Sequence, residues 1–584
     1  MGFNNRMLGG GMKLKKGCFI RGLLMAGPIA VLLAMQCTAA NADTIKPYFE
    51  FKQAPLTQIP GDLSTDTNGA SAPVSLATNR YVFGFEGVSQ YDGATLGRNA
   101  IPPDTIGAVG KSQYFETTNG AYAVFDKTTG TRLALMSDVQ FWANAGQTGA
   151  NGDTRVLYNA DAQRWVAVAF GANTKDLQIA ISDTSNALGP WKSTKFQGYA
   201  GLGGSRTIAD YPTLALDKNA VYIGTNDFAN TPTSSTVSFR STTLNVIPLD
   251  SLFNAAGPTT ANLKQFVTPL TGGASDVDRG FALQGVNSSS ASSSGTVVAT
   301  SLFQFDSLAF KVNGLTSSSA TAATITSPVF LGEAAHTTAG PARQPSVSNP
   351  ANRRVIDTLD DRISSSVYEA NGRIYYVKTV NSTADGRDEA RVRYTVLDAQ
   401  TLSILDEGDI GKAGYDYYQG SIAVNVFGEV VIGFNRSGLD PTDGKIRFYA
   451  ETFSTDLSGK LVATSDEILL KESLTDDYHN GSAFGQNAAG RQRWGDYSQV
   501  SIDPDDPHLF YLIGEFAREY NLEQFGHPGG TGGSRWGTWI AAINATANLN
   551  QVPEPAVWML LLIGLAAISA TSLRRGRKVF IRFS

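Results

Sequence analysis

The chain has 584 residues, of which 17% are charged and 10% aromatic, and it carries a net charge of −5. Its first 42 and last 29 positions hold ten basic residues and no acid, so the body between them carries −15. An acidic body without a basic stripe excludes nucleic acid as a partner and docking on anionic lipid, and suits divalent cations or neutral sugars better than acidic polymers.

The N-terminus reads as a secretory signal peptide over 1–42. Arg6, Lys13, Lys15, Lys16 and Arg21 form a basic region without acids, and 23–35 is apolar although Pro28 interrupts it. Ala40-Asn41-Ala42 fits the small-x-small pattern that signal peptidase cuts, which places the mature start near Asp43. The only cysteines, Cys18 and Cys37, fall in the removed segment. The mature protein then holds no disulfide and no thiolate metal site.

Residues 43–100 form an N-terminal extension with the first strands. From 101 to 544 one pattern recurs: a short apolar run, a polar turn, then a second apolar run with aromatics. The copies pair 105–109 with 113–115, 155–158 with 165–170, 213–216 with 220–223, 365–368 with 374–377, 421–424 with 430–434, and 500–503 with 509–513. A degenerate copy pairs 296–303 with 308–312. Runs rich in Val, Ile, Tyr and Phe, bounded by Gly, Asn, Asp and Pro, predict strands and turns. Further strands follow several copies, at 121–126, 177–182, 392–397 and 446–450. Two hairpins make one four-stranded propeller blade. The predicted fold is therefore all-β, a β-propeller of seven four-stranded blades. Long insertions are expected at 257–285, 314–357 and 455–490. An array of β-sandwiches is the competing architecture.

After a linker at 545–552 comes Pro553-Glu554-Pro555, then an uncharged run over 556–573, then Arg574, Arg575, Arg577 and Lys578, with a tail at 579–584. A run of that length suits a short transmembrane helix, because about 20 apolar residues cross the hydrocarbon core. The basic cluster is expected to stay on the cytoplasmic side, with the body facing outward. The ordered set over 553–578 resembles the PEP-CTERM sorting signal of Gram-negative bacteria. That resemblance implies recognition by an exosortase, cleavage near the motif, and delivery to the cell surface or exopolysaccharide.

The hairpin rhythm resembles sialidase-like, BNR-type propellers. The nearest copy runs from Val500 to Tyr511; Ser501 and Asp503 match the Asp-box, whereas Asp505 and His508 stand where glycine and an aromatic residue are wanted. A sialidase-like enzyme would need three arginines, a tyrosine with a glutamate, and an acid/base aspartate. Arg155, Arg206, Arg362 and Arg493, Tyr211 or Tyr497, Glu515 and Asp104 offer such a cast, but no spacing fixes it.

Acids recur where hairpins begin: Asp104, Asp153, Asp210, Asp360, Asp361 and Asp496. Because the first strand of a blade lines the channel, these acids ring one face. They serve either as a site for an ion or sugar hydroxyls, or as turn caps. No cofactor is required by the pattern; calcium is the ion such carboxylates would suit. Asp104, Asp153, Asp210, Asp361, Arg362, Arg493, Trp494 and Asp496 are the candidate ligand-binding residues. Trp494 is among them because Arg493-Trp494-Gly495 reads as a turn in which the indole would stack on a sugar, although burial between blades competes. The expectation is an exported propeller that binds polysaccharide or surface proteins, with a glycan-active enzyme as the alternative.

Overall fold

The computed structural model describes residues 80–546, apart from 151, 200–206, 232–233, 272, 274–275, 291, 293, 347–352, 383–387, 480–490 and 521–533. The signal peptide with Ala40, Ala42 and Asp43, the motif Pro553-Glu554-Pro555, the cluster Arg574, Arg575, Arg577 and Lys578, and Arg206 lie outside the described residues. Among the described residues, no helix is long and apolar enough to cross a membrane.

The body is all-β and runs through consecutive antiparallel sheets. The first holds Ile106–Val109, Gln113–Thr117, Ala121–Asp126 and Arg132–Ser137. The second holds Arg155–Asn159, Arg164–Phe170, Asp176–Ser182 and Trp191–Gln197. In the third, Thr207–Asp210 and Ala215–Leu216 both pair with Ala220–Thr231, followed by Ser234–Pro248 and Lys264–Pro269. The fourth runs Phe281–Ser288, Gly295–Thr300, Ser307–Asn313, with Thr324–Ile325 and Val329–Phe330 at its edge. It joins the fifth, Val367–Ala370, Arg373–Ser382, Ala390–Asp398 and Ile404–Ile410, through a short parallel pairing of Val286 with Val367. The sixth holds Tyr415–Val424, Glu429–Gly438 and Arg447–Thr455, edged by Leu461–Ala463 and Ile468–Glu472. The last holds Gln499–Ile502, Leu509–Tyr520, Ser534–Asn544 and, at its outer edge, Tyr81–Ser89.

The innermost strands of successive sheets lie side by side, and Gln499–Ile502 packs against Ile106–Val109 to close the ring. Between the second and third sheets the contacts include Arg155, whose Nε donates to the Pro212 carbonyl, and Ala209 N, which donates to Thr174 O. The result is a β-propeller body.

Burial explains the strand sequences. Inner strands are covered on both faces, so they read as near-continuous apolar runs, whereas the outer strand Arg132–Ser137 is exposed to half-buried along its length. Aromatics fill the space between sheets. Phe115 packs on Tyr122, Phe141, Trp165 and Trp191; burying such a side chain stabilises by roughly 2 kcal/mol. Gly514 lets Phe448 lie flat across the neighbouring strand, since a Cβ there would stand 2.5 Å from the ring.

Asx side chains hold the hairpin turns. Asp126 accepts from Thr128 N and Thr129 N at 3.0 and 2.8 Å, Asp217 from Asn219 N and Ala220 N, and Asp398 from Gln400 N and Thr401 N. The acidic turn after Ile502 follows the same rule. Asp503 accepts from Asp505 N at 2.8 Å and pairs with the buried Lys127 ammonium at 2.8 Å. Its carboxylate thus holds a turn and a cation of the first sheet.

Two expectations change. The stretches 257–285 and 455–490 contain sheet strands, Lys264–Pro269, Phe281–Ser288, Leu461–Ala463 and Ile468–Glu472, so they are only in part insertions. The propeller also begins before 101, because Tyr81–Ser89 pairs with Ser534–Asn544, matching Phe85 to Ile540.

Candidate functional site

The ends at which the innermost strands begin converge on one buried polar cluster. A triplet places it: Pro103-Asp104-Thr105, Gly152-Asp153-Thr154, Ala209-Asp210-Tyr211 and Gly495-Asp496-Tyr497. Asp104 and Asp153 adopt left-handed backbone conformations, φ 49° and 52°, as does Tyr211 at 56°. Aspartate tolerates this region better than most residues because its short side chain bonds locally.

Asn119 bridges the first two acids. Its Nδ2 donates to Asp104 Oδ2 at 2.6 Å, and its Oδ1 accepts from Asp153 N at 2.9 Å. Asp104 Oδ1 accepts from Asp496 N at 2.8 Å, which ties the start of the ring to its end. Arg493 Nη2 donates to Asp496 at 2.7 Å. Tyr497 Oη donates to Asp153 Oδ2 at 3.0 Å, while Tyr211 Oη donates to the Asp496 carbonyl at 3.2 Å. The Arg155 guanidinium stacks 3.6 Å from the Tyr497 ring centre, and that of Arg362 lies 4.4 Å from Tyr211.

These acids are wholly enclosed, and their ionisation reflects it. Burial, reinforced by Asp153, pushes Asp104 up to about 7 against the opposing pull of Arg493. Burial and the neighbouring Asp210 and Asp496 push Asp153 up to about 8. Burial raises Asp496 to about 8 although Arg493 lowers it. Glu515 sits beneath Gly495, where a Cβ would run into its carboxylate, and burial and Asp104 hold it well above the usual carboxylate range. Desolvation outweighs the arginines and raises these acids.

Beside the cluster opens a small cleft of about 10 Å³, partly open to solvent and with room for about one water, lined by Asp357, Thr358, Asp360, Arg362, Thr379 and Gln419 among others. Arg362 clasps Asp360 through Nε and Nη2 at 2.7 and 2.8 Å. Asp357 faces Arg491 at 3.2 Å and Arg493 at 3.8 Å. The lining therefore offers matched charges, hydroxyls and an amide.

The structure gathers Asp104, Asp153, Asp210, Arg362, Arg493 and Asp496 into this region. It does not bring in Asp361, whose carboxylate turns toward Thr338 at 3.4 Å and His336 at 3.9 Å, beside the buried Lys378. Trp494 is corrected as a sugar platform: it is fully buried, edge-on to Tyr478 at 4.7 Å, with its Nε1 donating to Asn435. The three described arginines of the enzyme cast are each engaged by groups of this chain. Arg362 holds Asp360, Arg493 holds Asp496, and Arg155 donates to the Pro212 and Ser364 carbonyls. Asp357, Thr379 and Gln419 were not singled out from the sequence; the repeated Asp triplet is the signal that locates their neighbourhood. Among the described residues, no three His, Asp or Glu side chains are grouped to hold a metal ion.

No protein-family model matches the chain, and no curated protein sequence matches it. Solved structures similar to it include a protein of unknown function from Dyadobacter fermentans, at 11% identity and a TM-score of 0.31, covering 75% of this chain and 94% of that one. Another is the GH93 α-L-arabinofuranosidase of Fusarium graminearum with arabinobiose, at 10% identity and a TM-score of 0.33, covering 66% and 91%. A third is the extracellular part of Drosophila Semaphorin 1b, at 9% identity and a TM-score of 0.32, covering 75% and 84%. At these scores the likenesses carry no argument about activity. The fold of this chain stands on its sheet order and its site on its own side chains.

Proposed function

We propose that this is an exported, exosortase-sorted protein of the cell surface or extracellular matrix, whose seven-bladed propeller binds a neutral, hydroxyl-rich ligand such as an envelope polysaccharide. Signal peptidase and exosortase are its processing partners, and the tail anchors it in the membrane until cleavage. The export reading draws on the two terminal signals in the sequence. The binding reading draws on one observation: the raised carboxyl groups of this region, Asp104, Asp153 and Asp496, are buried beside the cleft, whereas the acids lining it, Asp357 and Asp360, face arginines. A general acid must reach the leaving group within hydrogen-bond distance. The balanced charges, hydroxyls and amide at this small cleft instead suit a sugar hydroxyl, which both donates and accepts.

The test is a glycan array with the purified chain, followed by a product assay on every hit. Binding of neutral glycans without product is expected, and Arg362→Met should weaken it at least tenfold. Turnover of any glycan overturns the binding-only reading. The second reading, a sialidase-like hydrolase or lyase, draws on the Tyr497–Asp153 hydrogen bond with Arg155 stacked on the tyrosine, and predicts products in the same assay.

A further inference from the structure

Four of the exposed apolar side chains lie together at one corner of the body. Leu457 is 100% exposed, Val426 and Phe427 are each 60% exposed, and Leu405 is 36% exposed. A chain of contacts joins them. Gly459 packs on Leu405 and Arg373, Arg373 Nη2 donates to the Leu457 carbonyl at 2.6 Å, and Thr455 N donates to Gly428 O at 2.7 Å. Asn371 Nδ2 donates to the Val426 carbonyl, and the Phe427 ring stacks on His508 at 4.6 Å and 11°. Lone exposed apolar residues are ordinary; a contiguous set marks an interaction surface.

The chain leaves the body at this corner. Ala545 N donates to the carbonyl of His508, the residue on which Phe427 stacks, and Arg80 Nη1 donates to Ala545 O at 2.6 Å. Ten residues then separate Ala545 from the uncharged run at 556–573, a tether of at most roughly 35 Å. The cleft lies at the other end of the same sheets. Gln419 precedes Val426 along Tyr415–Val424 and its turn, and Gly495 precedes His508 across Gln499–Ile502. Charges on these segments are mixed: Arg80, Lys127, Arg373 and Lys460 occur with Asp406, Glu429, Asp456, Asp505 and Asp506. They make no basic patch for anionic headgroups.

We propose that this corner rests on the bilayer that holds the tail. Val426, Phe427, Leu457 and Leu405 enter the interfacial layer of zwitterionic lipid, and the cleft faces away from the membrane. The proposal rests on the sorting-signal reading above.

The test uses the processed chain with its tail, which has no cysteine, carrying single Leu457→Cys, Phe427→Cys or Leu439→Cys changes. Leu439 is exposed at the opposite end of the same sheet, after Glu429–Gly438. Each variant is labelled with an environment-sensitive fluorophore in phosphatidylcholine vesicles containing spin-labelled lipid. Quenching at 457 and 427 should exceed that at 439 at least twofold. Equal quenching at all three positions in vesicle-bound protein overturns the proposal and leaves the sorting reading intact. Protein that does not sediment with vesicles overturns both.

Discussion

Aspartates work in opposite ways at the two ends of these sheets. Where the inner strands begin, Asp104, Asp153 and Asp496 are buried among one another, and desolvation raises them to about 7 or 8. At the hairpin turns, Asp126 and Asp398 are partly exposed and accept hydroxyl and backbone hydrogen bonds, which hold them below the usual range. The residue type is the same in both places. Solvent access and the number of donors decide whether its proton is kept or lost.

The largest effect should come from removing a cation from the buried end. Arg493→Ala leaves Asp496 and Asp357 without their shared partner. Above pH about 8, where Asp496 is ionised, breaking a buried pair in this way costs about 3 kcal/mol, measured as a shift in urea unfolding; a loss below about 1 kcal/mol there would place these acids in a solvated environment after all.

The pH profile sharpens the contrast next. Asp153 is raised in the folded state, so its contribution is full below the ordinary carboxylate value near 4 and is lost as pH rises toward about 8. Asp153→Asn cannot ionise and can still accept from Tyr497 Oη. Its stability relative to the parent should climb between pH 4 and 8 in thermal melts, and a flat difference would remove Asp153 from the cluster's titration.

Asp126→Ala should show the opposite sign. The lowered carboxylate stabilises above its ordinary value, and that contribution fades as pH falls through the lowered one. Near neutrality the substitution should cost about 1 kcal/mol, and the difference from the parent should shrink in acid. The smallest effect belongs to the apolar corner, where Phe427→Ser should change stability by no more than about 0.5 kcal/mol in the same melts.

Much of the architecture was legible because it is local. The Asn371-Gly372 turn and the Asp503–Asp506 turn separate strands where the sequence alternates apolar runs and breakers, and the structure pairs Tyr368 with Tyr375 and Val500 with Leu512 across them. First strands were expected before 101, but the partner of Tyr81–Ser89 was not legible, because nothing near it announces Ser534–Asn544. Phe281–Ser288 was hidden as well, since Gln284 and Gly285 interrupt its apolar character. The ring of acids could be located from where hairpins begin, yet its enclosure could not, because burial depends on all the neighbouring sheets at once. Trp494 shows the same limit: flanking Arg493 and Gly495 look like a surface turn, but Tyr478 covers the indole.

Tyr81–Ser89 has a consequence for how the molecule is made. It hydrogen-bonds to Ser534–Asn544, the last of the described strands in chain order, as between Val88 and Thr538, 450 positions apart. Until Ser534–Asn544 emerges, a nascent chain is an open arc with a bare edge, and such edges recruit other chains. Loop closure over that distance costs only slightly more than over half of it, but contacts so remote in sequence form slowly. The circle is therefore a product of completed synthesis, and any truncation before Ser534 leaves it unsealed.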